Sequence, residues 1–379
     1  MAGKPRPERE ALERQNAALI AVFERAGFDH IAPDIIQPAD IFLERSGEDI
    51  RARTFVFTDP AGAEMCLRPD LTVPACRYHL SHADDPSAER RYCYLGPAFR
   101  FPDELLSPQE FTQAGLEWFG AADPIAVEAR VLKLTISALE AAGLQRYRVT
   151  FGDVGLFSAL LEDTAMPARW RQRLRQQFWR PAAFRELLDS YQAAGEARRT
   201  SLFPLVSRVA AGDALEVVEA EFAARKLPLV GGRTPLEIAE RLAGKAADLA
   251  ETPLAAAKAQ ALNAYLAIAG EASAMDAEFA KIAAGQRFAG ARDYYVRRLF
   301  EMEELGLNPR RFHFAAGFGR ELEYYTGFTF QIEADTAHGP VTVAGGGRYD
   351  NLLSDMGAPR PVPAVGCAIH TDRLKAVLA

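Results

Sequence analysis

The sequence predicts an α+β fold, a mostly antiparallel sheet flanked by helices and interrupted by a helical insertion. Strand-length apolar runs at Glu64–Leu67, Arg91–Leu95, Phe111–Phe119 and Tyr147–Phe151 lack the regular helix alternation of a parallel sheet. From Leu161 to about Phe288 the chain becomes rich in Ala, Leu, Arg and Glu and loses strand-like alternation. Strands then return at Arg311–Ala316, Tyr325–Glu333, Val341–Ala344 and Val365–Ile369. The expected organisation is one core built from residues 1–163 and 286–379, with residues 164–285 as the insertion.

Along the chain, Glu8–Ala26 places Leu12, Leu19, Val22 and Phe23 on one helical face. Phe28–Phe57 mixes extended apolar pieces with Pro33 and Pro38, and Thr58-Asp59-Pro60-Ala61-Gly62 reads as a turn. A helix over Ile125–Ala142 precedes the strand Tyr147–Phe151. In the insertion, Thr234-Pro235-Leu236-Glu237 supplies an N-cap, a first-turn proline and a capping-box glutamate in order. Thr252-Pro253 repeats the cap-and-proline arrangement for the next helix, and a last helix starts at Thr371.

A chain of 379 residues, 49% hydrophobic and 25% charged, has ample material for a soluble core. Its net charge of -7 argues against a surface given over wholly to nucleic acid, which needs clustered Lys and Arg. Cys66, Cys76, Cys93 and Cys367 are scattered, without a C-x-x-C pair, so no zinc or other metal site is expected. Isolated thiols fit a reducing cytoplasm. The first residues carry no apolar signal segment, and no apolar run reaches the ~18 residues of a membrane span.

Several segments carry residues suited to chemistry. As a strand, Phe111–Phe119 puts Thr112, Ala114, Leu116 and Trp118 on one face and Gln113, Gly115 and Glu117 on the other. An amide and a carboxylate flanking a glycine form either a floor for a small polar ligand or the solvated face of an edge strand. Tyr325–Glu333 similarly separates Thr326, Phe328, Phe330 and Ile332 from Tyr325, Gly327, Thr329 and Gln331. Gly345-Gly346-Gly347 reads as a phosphate cradle or as a tight turn with positive φ, and no G-K-[ST] follows it. Arg68-Pro69-Asp70-Leu71-Thr72 offers a carboxylate and a hydroxyl, or a simple cap. The arginine-aromatic run Arg169–Arg180 has Trp170, Leu174 and Phe178 at i, i+4, i+8, which favours an amphipathic helix over an RNA-binding segment.

Arg320-Glu321-Leu322-Glu323-Tyr324-Tyr325-Thr326-Gly327 and Ala344-Gly345-Gly346-Gly347-Arg348-Tyr349-Asp350 resemble the paired signatures of the histidyl-tRNA synthetase family. Phe28–Gly62, Tyr92–Gly120 and Val365–Leu374 are similar, in order, to the three motifs of class II aminoacyl-tRNA synthetases. The resemblance covers nearly the whole chain outside the insertion and implies a class II synthetase-like core that dimerises. It implies a histidine pocket in which Asp70, Thr72 and Gln113 grip the α-amino group. Glu117 and Tyr325 would hold the imidazole and Arg320 the carboxylate, with Arg100 and Tyr324 completing the set. Glu321 departs from the family by replacing a glycine beside Arg320.

The ATP side matches less well. Phe101-Pro102-Asp103 stands in place of the family's His-Glu-Arg, and Glu104–Glu110 has no arginine. His370 occupies a position normally glycine, although Arg373 is kept. Acids in place of fixed cations would repel a triphosphate. The chain stops within one helix of the third motif, so the family's anticodon-binding domain is expected to be missing and tRNA is not an expected partner. This combination resembles a paralogous branch, the regulatory subunits that partner the short-form ATP phosphoribosyltransferase at the first step of histidine biosynthesis. The resemblance implies a non-catalytic, cofactor-free subunit that binds L-histidine and works as a homodimer within a hetero-oligomer, activating the transferase and conferring feedback inhibition. The alternatives are a truncated, active histidyl-tRNA synthetase or another ATP-dependent ligase activating histidine.

Overall fold

Strand pairing joins the two outer segments of the chain into one sheet. The computed structural model describes residues 3, 5–45, 50, 52–102, 109–193, 203–225, 234–318, 324–337 and 339–378. Twelve strands are found among them: β1 (Asp29–Ile31), β2 (Ile36–Pro38), β3 (Phe55–Thr58), β4 (Glu64–Leu67), β5 (Arg90–Phe99), β6 (Glu110–Phe119), β7 (Tyr147–Asp153), β8 (Ala269–Glu271), β9 (His313–Ala315), β10 (Phe328–Thr336), β11 (Gly339–Arg348) and β12 (Ala364–His370). Nine form one sheet in the order β1-β5-β6-β12-β11-β10-β7-β9-β8, and β2-β4-β3 form a second. Only β1–β5 and β7–β9 pair in parallel, so the sheet is mostly antiparallel as expected.

Two units are distinct in their contacts, Met1–Ala165 with Leu262–Ala379, and Met166–Ala261. The chain rejoins the first unit at Leu262, well before residue 286, where the composition of the sequence placed the return. The reason is an aromatic cluster and a strand hidden in an alanine-rich stretch. Tyr265 and Phe279 pack against Phe288, Tyr295 and Phe314, and β8 pairs with β9. In this unit the helix Arg6–Arg25 buries Leu12, Leu19 and Phe23. The helix Pro124–Ala141 starts at the Asp123 cap and packs on β12 and on the helices Arg6–Arg25 and Gln286–Glu304.

The expected turn at Thr58–Gly62 joins β3 to β4. Oδ1 of Asp59 accepts from the amides of Ala61 at 2.8 Å and Ala63 at 2.9 Å, and Gly62 takes φ +89°. Three other expectations fail. The strand read as Tyr325–Glu333 begins at Phe328, so its alternation does not extend back to Tyr325 and Gly327. Gly345-Gly346-Gly347 is neither turn nor phosphate cradle, because it lies inside β11, paired with β12. A Cβ on Gly346 would sit 2.1 Å from the Gly366 carbonyl oxygen, so close backbone approach across strands explains the glycine. Finally, Thr252-Pro253 does not cap the following helix, which starts at Ala256. The Leu254 amide donates to the Tyr191 carbonyl at 2.8 Å and holds that stretch outside the helix.

The second unit is all helical among its described residues, with Val206, Val209, Val218 and Leu242 in its core. Thr234 and Glu237 form the expected capping box. The arginine-aromatic run is a helix over Ala168–Gln176 that buries Trp170 and Leu174. Trp170 stacks on Tyr191 with centroids 4.2 Å apart, and Asp248 accepts from Arg169 and from Trp170. Arg173 also pairs with Asp248. These arginines serve intramolecular ion pairs, which removes the support for an RNA-binding strip.

Candidate functional site

A cavity of about 350 Å³ opens in the first unit where β6, β10, β11 and β12 lie side by side. Gln113 enters it from β6, Gln331 from β10, Thr342 and Gly346 from β11, and Ala368 and His370 from β12. Antiparallel register brings these positions together: Gln113 pairs with His370, and Gly115 with Ala368. Asp70 just ahead of the helix Thr72–His82 and Thr72 at its first position enter next, and Tyr324 and Tyr325 close another side.

Of the residues expected to hold histidine, Asp70, Thr72, Arg100, Gln113, Tyr324 and Tyr325 all line this cavity. Asp70 is 6% exposed; its Oδ1 accepts from the Val73 amide at 3.2 Å, while Oδ2 has no hydrogen-bond partner. Gln113 is 2% exposed and its Oε1 is likewise without a partner. Burial raises the Asp70 carboxyl above its ordinary range, and the nearby Arg100 guanidinium acts against that rise. Arg100 donates through Nε to the Pro69 carbonyl at 2.8 Å and lies 5.3 Å from the centre of the Phe111 ring. Tyr324 and Tyr325 have ring centroids 5.0 Å apart, and Tyr324 meets Tyr349 edge-on at 5.6 Å. Arg320 and Glu321 lie outside the described residues, as do Asp103–Pro108 of the second motif.

Glu117 takes a different place from the one expected. It is fully buried and does not line the cavity. Tyr94 donates to its Oε1 at 2.9 Å, and Tyr349 donates to its Oε2. Burial pushes the Glu117 carboxyl up to about 8, against the lowering effect of hydrogen bonds from Tyr349, Thr72 and Tyr94. Tyr349 does line the cavity, so it stands between that space and Glu117. Gly115 is not an open floor for a ligand. A Cβ there would lie 2.3 Å from the Cys367 carbonyl oxygen and 2.5 Å from the Tyr94 hydroxyl. Across the sheet, a Cβ on Gly366 would lie 1.5 Å from Oε2 of Glu117. The reading of Phe111–Phe119 as a solvated edge strand also falls, since β6 lies between β5 and β12 and is buried from Gln113 to Phe119.

Sequence reasoning missed Tyr94 and Tyr349 as site residues. Tyr349 sits inside the Gly-Gly-Gly-Arg-Tyr-Asp segment already singled out, and Tyr94 is the direct cross-strand partner of Gly115. A large residue facing a glycine on a neighbouring strand was the available signal. His370 and Arg373, considered for their effect on a nucleotide, line the same cavity as Asp70.

Chemically, a buried carboxylate oxygen and an amide oxygen, both lacking partners, suit an ammonium donor, and the tyrosines suit a planar polar ring. Among the described residues no group of three or more His, Cys, Asp or Glu side chains is placed to hold a metal ion. Among the described residues no helix is long and apolar enough to cross a membrane.

Comparison with known proteins finds relatives over nearly the whole chain. The family described as histidyl-tRNA synthetase matches residues 5–228 and 236–374. ATP phosphoribosyltransferase regulatory subunits of Brucella canis and Brucella suis are 35% identical over 350 residues, which is 90% of this chain and 91% of theirs. A Bacillus halodurans structure described as an ATP phosphoribosyltransferase regulatory subunit/histidyl-tRNA synthetase superposes with a TM-score of 0.72 at 20% identity, over 100% of this chain and 82% of that one. A histidine–tRNA ligase subunit from Alicyclobacillus acidocaldarius gives 0.59 at 22% identity, over 100% of this chain and 95% of that one. At such identities the two structures show the fold.

Proposed function

The chain belongs to the ATP phosphoribosyltransferase regulatory subunits of the histidyl-tRNA synthetase family, and from that premise we propose that it is a histidine sensor for a separate, short-form transferase. Free L-histidine occupies the cavity between β6, β10, β11 and β12, and its presence lowers the activity of the transferase the subunit otherwise activates. The observation that carries this reading is the pair of buried, unpartnered oxygens, Asp70 Oδ2 and Gln113 Oε1, on residues lining a cavity of amino-acid size. These two acceptors set an electrostatic demand that an α-ammonium group would satisfy. Tyr324, Tyr325 and Tyr349 then face the ring, with Glu117 setting the hydroxyl of Tyr349 from behind.

Control of a partner follows from linkage. Histidine shifts the assembly toward whichever conformation binds it better, and a coupling of ~1–3 kcal/mol is usual for such switches. The homodimer has a suitable surface in the small sheet β2-β4-β3, where Ile36, Val56 and Phe57 are 52%, 41% and 40% exposed. The four buried cysteines fit a cytoplasmic setting.

A second reading, an enzyme that activates histidine with ATP, draws support from Arg100 and Arg373, two cations lining the same cavity. Calorimetric titration with L-histidine, paired with a histidine-dependent ATP–pyrophosphate exchange assay, separates the two. Binding without exchange is the expected result. Exchange would establish the enzyme, and absence of binding would remove the sensor.

A further inference from the structure

A second, larger cavity of about 840 Å³ lies in the same unit, lined by residues from the helices Pro124–Ala141, Val154–Asp163 and Gln286–Glu304 and from the ends of β7 and β11. The geometry points to a second small-molecule site here, for an amphoteric ligand carrying both a carboxylate and a free amino group on an apolar or aromatic frame.

Arg298 is 3% exposed and is held by Glu128 through Nε and by Asp153 at 2.8 Å through Nη2. Arg348 pairs with Asp350 at 2.7 Å and stands 3.5 Å from Oε1 of Glu128. Two atoms of this buried network make no hydrogen bond, Nη1 of Arg298 and Oε1 of Glu128. One is a donor and the other an acceptor, the complement of a molecule bearing both kinds of group. Overall the lining carries five carboxylates and four guanidinium groups, a net of one negative charge. A zwitterion is compatible with that balance, whereas a phosphate dianion meets net repulsion.

Gly290 lies inside a 19-residue helix and lines the cavity, yet nothing is within 4 Å of where its Cβ would be. No packing demand excludes a side chain there, and glycine is a poor helix former, so its presence keeps the cavity open at a cost to the helix. Tyr294, one turn further along, is 59% exposed at the same cavity and offers a ring face to an aromatic or apolar ligand. The volume is more than twice that of the first cavity, which suits an aromatic amino acid or a dipeptide.

The two cavities share segments of chain. Tyr324 and Tyr325 line the first cavity, and the next residues, Thr326 and Gly327, line the second. Gly346 and Tyr349 line the first, Arg348 and Asp350 the second. A molecule ordering either wall acts on segments that form the other, which makes this a site for an effector of the first cavity. The placement of the site does not depend on what fills the first.

The test is calorimetry on the full chain with L-phenylalanine, L-tryptophan and glycyl-L-phenylalanine, and with AMP as the phosphate-bearing probe. At least one zwitterion is expected to bind, about tenfold more weakly to Gly290→Leu and to Tyr294→Ala, and equally well to Asp70→Asn. Tyr294→Ala removes an exposed ring and so reports on the site even if Gly290→Leu misfolds. Failure of all three zwitterions, binding unchanged in both cavity variants, or preference for AMP would overturn the proposal. If Asp70→Asn abolishes histidine binding but leaves the zwitterion bound, the two sites are separate, as proposed. If histidine fails to bind the wild type while a zwitterion does, only the reading of the first cavity falls.

Discussion

The hydroxyl of Tyr349 donates to Oε2 of Glu117 from the cavity side, while Tyr94 donates to Oε1 from the neighbouring strand at 2.9 Å. Glu117 is therefore a positioning group behind a tyrosine wall. Replacing Tyr349 by Phe leaves one oxygen of a buried carboxyl without its donor and should destabilise the fold by about 1–3 kcal/mol. The same variant should weaken histidine binding, whereas Glu117→Gln, which keeps both an acceptor and a donor, should retain more stability than Tyr349→Phe. Urea unfolding and histidine calorimetry on both variants check this. Equal stability loss in the two would show that the Tyr349 contact is not what holds Glu117.

Asp70→Asn separates binding from folding. Its Oδ1 caps the Val73 amide, a role that an amide oxygen can fill, and its Oδ2 has no partner to lose. The fold should remain about as stable as wild type, while loss of a charged partner for the ammonium should weaken histidine by about 10–100-fold, the equivalent of 1.5–3 kcal/mol. Unaltered histidine affinity would move the ammonium site elsewhere.

Alternation makes only part of this site legible. Asp70, Thr72, Arg100, Tyr324 and Tyr325 come from the family resemblance, and alternation carried back to Tyr325 fails because β10 starts at Phe328. Gln113 and Glu117 share one face of a strand, with Leu116 and Trp118 on the other, because side chains on a strand repeat every two residues. What alternation could not supply was the neighbour. Glu117 faces Gly366, more than two hundred residues away, and only the register of β6 against β12 reveals that the glycine makes room for its carboxyl. The role of Gly345–Gly347 is hidden in the sequence for a related reason. Glycine serves turns and close strand approaches alike, and its own sequence neighbourhood does not distinguish them. The return of the chain at Leu262 was hidden by alanine-rich composition, since the residues that tie it down, Tyr265 and Phe279, find their partners in Phe288, Tyr295 and Phe314.

That close approach gives a third expectation. Gly366→Ala would place a methyl 1.5 Å from Oε2 of Glu117, inside a fully buried layer. The carboxyl must move and give up a tyrosine donor, so a loss of about 3 kcal/mol or more is expected in denaturant unfolding. Gly290→Ala, with nothing within 4 Å, should instead be neutral or stabilising by about 0.5–1 kcal/mol. A similar cost at both positions would contradict the packing described.

Two adjacent arginines offer a fourth contrast. Arg298 is enclosed between Glu128 and Asp153, whereas Arg297 pairs with Asp123 at a half-exposed position. Removing Arg298 strands two buried carboxylates and should cost about 3–5 kcal/mol. Removing Arg297 should cost at most about 1 kcal/mol, and less at high salt. Alanine variants of each, unfolded in urea at low and high ionic strength, test the difference.

The pH dependence of stability follows from the same buried carboxyl. Burial lifts Glu117 from 4.5 to about 8, so the folded protein holds that proton more tightly than the unfolded chain does. Where the native state binds more protons, stability falls as pH rises. The contribution is complete below about pH 4.5, declines as pH climbs to about 8, and is lost above that, a span worth up to about 5 kcal/mol at ~1.4 kcal/mol per pH unit. Asp70, also raised by burial, acts in the same direction. Glu117→Gln removes the Glu117 contribution, so its unfolding free energy should fall less steeply than that of wild type between pH 5 and 8 and should approach parity or better at the alkaline end. Parallel curves for the two proteins over that range would show that Glu117 is ionised in the native state at neutral pH, and that its two tyrosines offset its burial.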